Sequence, residues 1–267
     1  MILSRRLLSP LPLILLLSSQ CATSGVNKGD INLFSSSDEV SIGKDFSAAV
    51  EKEIILVQNT EVLSYIDELG QLIVEHSERQ DISYHFKVVD SEEVNAFALP
   101  GGYIYINRGL ILTASNEAEL ISVIAHEVGH VVARHGTEQL TRQYGFSIVS
   151  SLALGANPKF WEEQAAGLFG ALGLLHYGRK AELEADHLGL EEMHRAGYKP
   201  EAMASFFEKL LELHNDSPGS LEKLFLTHPP TQERIDKARE FVGYLQLRPG
   251  ERLDTDRFHA IQGLLKG

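Results

Sequence analysis

The sequence has a single cysteine, Cys21, among 267 residues, and this scarcity limits the chemistry of the chain. One cysteine cannot form an internal disulfide framework, and it excludes a zinc or iron–sulfur site built from cysteines alone. Basic residues are also few, because 24 Lys and Arg stand against 37 Asp and Glu, for a formal net charge of −13. A chain this acidic repels nucleic acid and anionic lipid, so we expect neither as a partner.

Long apolar runs are absent after the first 20 residues, and the run at the N-terminus is typical of an export signal. Arg5 and Arg6 precede an apolar segment over residues 7–17, which is too short for a comfortable membrane span. We therefore expect residues 1–20 to be a signal peptide and residues 21–37, rich in Ser, Gly and Asn, to be a tether. The protein is then exported to the periplasm.

Cys21 lies just after the apolar segment, where a bacterial lipoprotein carries its lipidated cysteine. The preceding Ser18, Ser19 and Gln20 fit that signal poorly, and Ala22-Thr23-Ser24 offers an ordinary cleavage site that would remove Cys21. Both outcomes stay open, and a lipid on Cys21 is the only membrane attachment we expect. With that lipid, the protein is anchored to the outer membrane.

Residues 38–250 are predicted to form one mostly helical domain, followed by a short helical tail over residues 251–267. Apolar residues recur at helical spacing within 38–50 and 60–78. A chain of this length can bury one substantial core.

Alternating residues at His85–Val89 and 102–106 predict two strands, with a short strand and a turn between them at 95–102. Asn116 is placed to cap a helix that runs through His135. This order predicts an α+β fold in which a small β-sheet lies beside that helix.

The pattern His126-Glu127-x-x-His130 lies within the apolar helix predicted from Asn116. Residues four apart leave the same face of a helix, so both imidazoles can share one metal ion. Glu127 lies about 100° around the helix from His126, where it can take a proton from water beside the metal. The pattern therefore predicts a zinc hydrolase.

A catalytic zinc needs a third protein ligand and one open position. His135 is a poor candidate, because on a continuous helix it points about 140° away from His130. We expect it to lie on the surface or to support one of the ligands. Glu182 and Asp186 lie four apart on a later predicted helix, so one carboxylate can bind zinc while the other orients a ligand histidine. From spacing alone, other carboxylates remain alternatives: Glu162, Glu163 and Glu191.

The chain resembles the HtpX and CAAX-prenyl-protease type of zinc metallopeptidase, in the order of its motifs. These motifs are His126-Glu-Val-Gly-His130, Glu182-x-x-Ala-Asp186 and Thr227-His-Pro-Pro. The resemblance covers about residues 35–245 and implies a gluzincin, a mostly helical zincin domain in which two histidines and a glutamate bind zinc. It is closer to the exported branch of the family than to the polytopic membrane members.

Carried over to this chain, the resemblance implies zinc bound by His126, His130 and Glu182, with Glu127 as the general base. Asp186 would orient a ligand histidine. The segment from residue 95, Asn-Ala-Phe-Ala-Leu-Pro-Gly-Gly-Tyr-Ile-Tyr, resembles the family's substrate-facing edge strand. We therefore expect substrate contacts there, at three residues: Asn95, Ala96 and Phe97.

His228 has three interpretations that the sequence leaves open. It can bind zinc as a fourth ligand, donate a hydrogen bond to the transition-state oxyanion, or simply be a loop residue beside Pro229 and Pro230. Arg234, one turn into the next helix, either holds a substrate carbonyl or pairs with an acid.

The resemblance implies an endopeptidase of the bacterial envelope that cleaves unfolded or misassembled proteins. The alternative is a latent, chaperone-like quality-control protein whose zinc site is capped by His228.

Overall fold

Helices surround a small β-sheet in this chain, and the computed structural model describes residues 31–154, 176–216 and 218–266. The predicted signal peptide, Cys21 and the tether up to residue 30 lie outside these residues. The predicted α+β class with a mostly helical domain is confirmed. No helix in the described part combines the length and apolar character needed to cross a bilayer. The helices of this part are α1 (Ser36–Val50), α2 (Thr60–Glu75), α3 (Arg108–Thr113), α4 (Glu117–Val132), α5 (His135–Leu154), α6 (Arg179–Arg195), α7 (Glu201–Asp216), α8 (Glu222–Thr227), α9 (Gln232–Val242) and α10 (Asp256–Leu265).

The sheet of the described residues contains β1 (His85–Val89), β2 (Ala96–Leu99) and β3 (Tyr103–Asn107), in the order β1-β3-β2. Strand β3 runs parallel to β1 and antiparallel to β2. The turn Pro100–Gly102 joins β2 to β3, and Gly101 has a φ of 75°, which favours glycine. Strand β2 is thus an edge strand whose outer side is unpaired within the described residues.

Helix α4 passes through the middle of the core, and every one of its residues is buried. Asn116 caps it, because its side chain accepts a hydrogen bond from the amide of Glu119. The buried carboxylate of Glu117 accepts hydrogen bonds from the hydroxyls of Tyr65 and Tyr198, at 2.7 and 2.6 Å. Since these polar groups are satisfied, the first turn of α4 can lie inside the protein.

Helices α4 and α6 approach each other almost to backbone contact. A Cβ on Gly129 would lie 2.8 Å from the carbonyl oxygen of Ala185, and one on Gly189 would lie 3.0 Å from the carbonyl carbon of Ala125. Glycine at both positions leaves room for the opposite backbone. The approach brings the carboxylates of α6 to the histidines of α4.

Helix α10 packs on the same apolar core, with Phe258 and Ile261 fully buried. Asp254, just before the helix, accepts a hydrogen bond from the amide of Glu117 at 3.1 Å. The C-terminal segment therefore contacts the first turn of α4.

The helix that the sequence predicts through His135 ends instead at Val132, and the cause lies in the backbone. Arg134 has a φ of 59°, in the left-handed region that side-chain-bearing residues rarely adopt. The chain turns at this residue, and α5 begins at His135. The prediction of one continuous helix was wrong at this point, so the direction expected for His135 was wrong as well.

A substitution at Gly43 tests how closely α1 packs on the rest of the fold. A Cβ there would overlap the carbonyl oxygen of Pro100. We expect Gly43→Ala to lower the free energy of unfolding by about 1–3 kcal/mol, because overpacking displaces the neighbouring backbone. Gly263→Ala on α10 is the matched control, since its Cβ meets open space, and it should raise the value by about 0.5–1 kcal/mol. Denaturant titration measures both. Equal stability of Gly43→Ala and the parent chain would contradict the packing.

Candidate metal centre

Four buried side chains from separate elements converge on one point. His126 and His130 come from one face of α4, Glu182 from the first turn of α6, and His228 from the end of α8. One nitrogen or oxygen atom of each lies within 4.8 Å of the others. The three residues expected from the sequence therefore lie together, and His228 joins them.

The distances among these atoms suit a shared cation. His126 Nε2 is 3.0 Å from His130 Nε2 and 3.4 Å from His228 Nδ1. Glu182 Oε1 is 3.0 Å from His228 Nδ1 and 3.4 Å from His130 Nε2. Imidazole nitrogens and a carboxylate oxygen are ligands that transition metals prefer, so the group is compatible with a metal ion.

Buried carboxylates make this point favourable for positive charge. Burial alone would lower the pKa of His126, but hydrogen bonds with Asp186 and Glu182 outweigh it and raise that pKa to about 9. Burial holds the pKa of His130 well below its usual value. Burial opposes ionisation of Glu182, yet His228 and the two α4 histidines keep the pKa of this carboxyl well below its usual range. Glu182 and His130 are thus in the protonation state that a metal requires, whereas a metal ion at His126 must displace the proton that the two carboxylates favour there.

Asp186 and Arg234 contact the Nδ1 side of His126, away from the other ligand atoms. Asp186 Oδ1 lies 2.8 Å from His126 Nδ1, which leaves Nε2 facing the other ligand atoms. Arg234 of α9 binds the same carboxylate at two points, Nε to Oδ2 and Nη2 to Oδ1, both at 2.7 Å. Its Nη1 is also 2.8 Å from Glu182 Oε2. Of the two interpretations left open for Arg234, the geometry favours pairing with acids.

His135 lies directly behind His130, which corrects the expectation that it points away. Its Nδ1 is 2.8 Å from His130 Nδ1, and its Nε2 is 3.5 Å from Glu184 Oε2. The turn at Arg134 produces this placement. Tyr177 covers the other side of His130, with ring centroids 4.1 Å apart, and no sequence pattern pointed to it.

Glu127 points its carboxylate into the same region. Its Oε1 is 3.8 Å from His228 Nε2. Its Oε2 is buried and makes no hydrogen bond within the described part of the chain. A buried polar atom without a partner is costly, so this oxygen is suited to a molecule that enters the site.

The predicted substrate strand is β2 together with the residue before it. Ala96 pairs with Ile106 of β3, and Phe97 stacks on Tyr105 with ring centroids 4.9 Å apart. Asn95 Oδ1 is buried without a hydrogen-bond partner among the described residues. Strand β2 also packs against α4, so the edge strand and the two histidines share one neighbourhood.

Comparison with known proteins agrees with this arrangement. The Beta-barrel assembly-enhancing protease of Escherichia coli (strain K12) is 30% identical over 223 residues, which cover 79% of this chain and 45% of that protein. Mitochondrial metalloendopeptidase OMA1 of Arabidopsis thaliana is 37% identical over 159 residues, covering 59% of this chain and 31% of that protein. Metalloprotease LoiP of Escherichia coli (strain K12) is 28% identical over 193 residues, covering 71% of this chain and 74% of that protein.

The chain thus spans less than half the length of the Beta-barrel assembly-enhancing protease. Residues 59–242, more than half of the chain, match the family model described as Peptidase family M48. The resemblance seen in the motifs is confirmed, and this chain belongs to peptidase family M48.

Proposed function

We propose that this chain is a zinc-dependent endopeptidase. The observation that carries the proposal is the convergence of His126, His130 and Glu182 beside the unpartnered carboxylate oxygen of Glu127. The three converging residues would hold one Zn²⁺ as two nitrogens and one oxygen, a set typical of catalytic sites that keep an open position.

The chemistry divides between the metal and Glu127. Zinc, when bound, supplies a Lewis acid that polarises the scissile carbonyl and makes water more acidic. Glu127 accepts the proton of the attacking water and passes it to the leaving amine. The buried position of its carboxylate keeps bulk water from competing for this proton. Asp186 and Arg234 keep His126 and Glu182 in their orientations during this exchange.

The substrate binds as an extended segment along the outer edge of β2. Main-chain hydrogen bonds to that edge tolerate many side chains, and Asn95 adds an unpartnered amide oxygen at its start. This mode suits unfolded or misassembled proteins, which expose extended segments. The printed name of one relative, a protease that enhances β-barrel assembly, supports an envelope protein as substrate. The predicted signal peptide would export the chain, which is compatible with a site of action in the periplasm, with or without a lipid on Cys21.

With a metal ion bound, His228 would cap it in the resting protein. Its Nδ1 contacts both Glu182 and His126, so it would serve as a fourth ligand. The neighbouring Nε2 faces Glu127, which would place the ring between the base and the incoming carbonyl. Activity then requires His228 to withdraw. A cap that stays closed corresponds to the latent, chaperone-like alternative.

Replacing Glu127 by Gln tests the enzyme assignment. We expect casein cleavage to fall by about 10²- to 10⁴-fold, the usual contribution of a general base, while the zinc content stays at one per chain. The exposed Glu201→Gln is the control and should cleave normally. A chelator should abolish cleavage by the parent chain. Undiminished cleavage by Glu127→Gln would contradict this mechanism.

Replacing His228 by Ala distinguishes a cap from an oxyanion donor. Loss of a cap opens the fourth position, so we expect the rate of peptide cleavage to rise severalfold and the affinity for zinc to fall. A rate that instead falls by about 10²- to 10³-fold would identify His228 as an oxyanion donor. Steady-state kinetics with a fluorogenic peptide give the rate, and competition with a chromogenic chelator gives the affinity.

Replacing His135 by Phe tests its support of His130. The change removes the acceptor behind a ligand histidine, which usually costs about 10- to 100-fold in metal affinity. His135→Asn keeps an acceptor and should recover most of that loss. The exposed His187→Asn on α6 serves as the control. Equal zinc affinity of His135→Phe and the parent chain, measured by chelator competition, would rule out this role.

A further inference from the structure

A buried carboxylate on α1 contacts two parts of the fold that border the candidate metal centre. Glu39 is 1% exposed. Its Oε1 accepts hydrogen bonds from Arg79 Nη1 at 2.9 Å and from the amide of Gly101 at 3.3 Å. Its Oε2 accepts from Arg79 Nη2 at 3.0 Å and from Arg134 Nε at 2.7 Å. Four donors therefore meet one side chain.

Three of these donors come from Arg79 and Arg134, two arginines that meet the end of α4, the helix that carries the two histidines. Arg79 Nη1 also donates to the carbonyl oxygen of Val131, in the last turn of α4, at 2.8 Å. Arg134 follows that turn, and its Nη2 donates to the carbonyl oxygen of Phe34 at 2.7 Å. The bonds of Arg134 to Glu39 and to Phe34 hold its side chain against α1, at the left-handed residue that directs His135 toward His130.

The remaining donor belongs to the turn that joins β2 to β3. Pro100, the first residue of this turn, lies between α1 and the first turn of α5. A Cβ on Gly43 would overlap the carbonyl oxygen of Pro100, and a Cβ on Gly136 would lie 3.1 Å from its Cγ. Because the fit is this close, the turn cannot shift without moving α1.

We propose that Glu39 is a positioning residue of the peptidase site. Its carboxylate fixes the position of the Pro100–Gly102 turn relative to the end of α4. A substrate bound along β2 would then lie at a constant distance from the metal and from Glu127. The inference rests on the proposed function, and it assigns a role to α1, which lies outside the matched residues 59–242.

The charge of Glu39 is needed as well as its shape. Arg79 is 7% exposed, and a buried guanidinium without a counter-ion is strongly unfavourable. Gln at position 39 can still accept from Gly101, but it removes the carboxylate that pairs with Arg134 and leaves Arg79 with only the exposed Asp81, 3.4 Å from its Nε. In Glu39→Gln we therefore expect the end of α4 and the Pro100–Gly102 turn to separate locally, before the whole protein unfolds.

The test compares Glu39→Gln with Arg134→Gly at saturating zinc. Glycine adopts a φ of 59° without strain, so Arg134→Gly removes only the guanidinium arm and keeps the backbone. We expect kcat on an extended peptide to fall by about 10- to 100-fold in Glu39→Gln, since small displacements of a substrate have effects of this size. The double variant should lose less than the product of the two single losses, because both act through one contact.

Val50→Ala is the control for a role in stability alone. Val50 is buried on the same helix but does not touch the carboxylate. Compared at equal loss of thermal stability, Val50→Ala should keep kcat, whereas Glu39→Gln should not. Equal kcat in these two variants would overturn the proposal. If Glu39→Gln fails to fold, Arg134→Gly is compared with Val50→Ala instead, and equal kcat in these two variants would overturn the proposal.

Hydrogen exchange at the amide of Gly101 gives a readout independent of activity. We expect exchange there to quicken at least tenfold in Arg134→Gly and in Glu39→Gln, and to stay unchanged in Val50→Ala. Unchanged exchange in the first two variants would overturn the positioning role. If the zinc-loaded parent chain cleaves nothing, the proposed function fails, and the exchange rates alone decide the role of Glu39.

Discussion

The close approach of α4 and α6 is the constraint on which the metal centre depends. Gly129 and Gly189 let each backbone meet the other helix almost directly. Side chains four residues apart on α4 then face side chains four residues apart on α6, and two histidines meet two carboxylates. A side chain at Gly129 or Gly189 would meet the backbone of the opposite helix at 2.8 or 3.0 Å and would push the two helices apart. The sheet and the remaining helices hold this pair of helices together.

A second set of charges compensates the burial of these ligands. Two carboxylates in an apolar interior would be unfavourable alone, and Arg234 forms ion pairs with both of them from α9. The same guanidinium lies over the ring of Phe207, 4.4 Å from its centroid, which keeps it within the core. Glu39 pairs with two arginines at the end of α4, just as Arg234 pairs with two carboxylates of α6. The metal centre thus has the anionic Glu39 behind the end of α4 and the cationic Arg234 behind α6.

Local periodicity explains how much of this could be predicted from the sequence. His126 and His130, and likewise Glu182 and Asp186, share a helix face because they are four residues apart, and no knowledge of the tertiary fold is needed for that. The placement of His135 could not be predicted in this way, since it depends on a left-handed backbone at Arg134 that a distant residue stabilises. Tyr177 reaches the site through long-range packing, which leaves no mark in local spacing. Arg234 could be named from the sequence, but its partner, Asp186, is set by the packing of α9 on α6.

The proposed mechanism depends on the binding of one zinc ion by His126, His130 and Glu182. A crystal structure of the zinc-loaded chain, with anomalous data on both sides of the zinc absorption edge, tests it most directly. We expect one strong anomalous peak, about 2.0–2.2 Å from the two histidine nitrogens and the Glu182 oxygen. A zinc-loaded crystal with its peak elsewhere, or with Glu182 turned away from the metal, would rule out this ligand set.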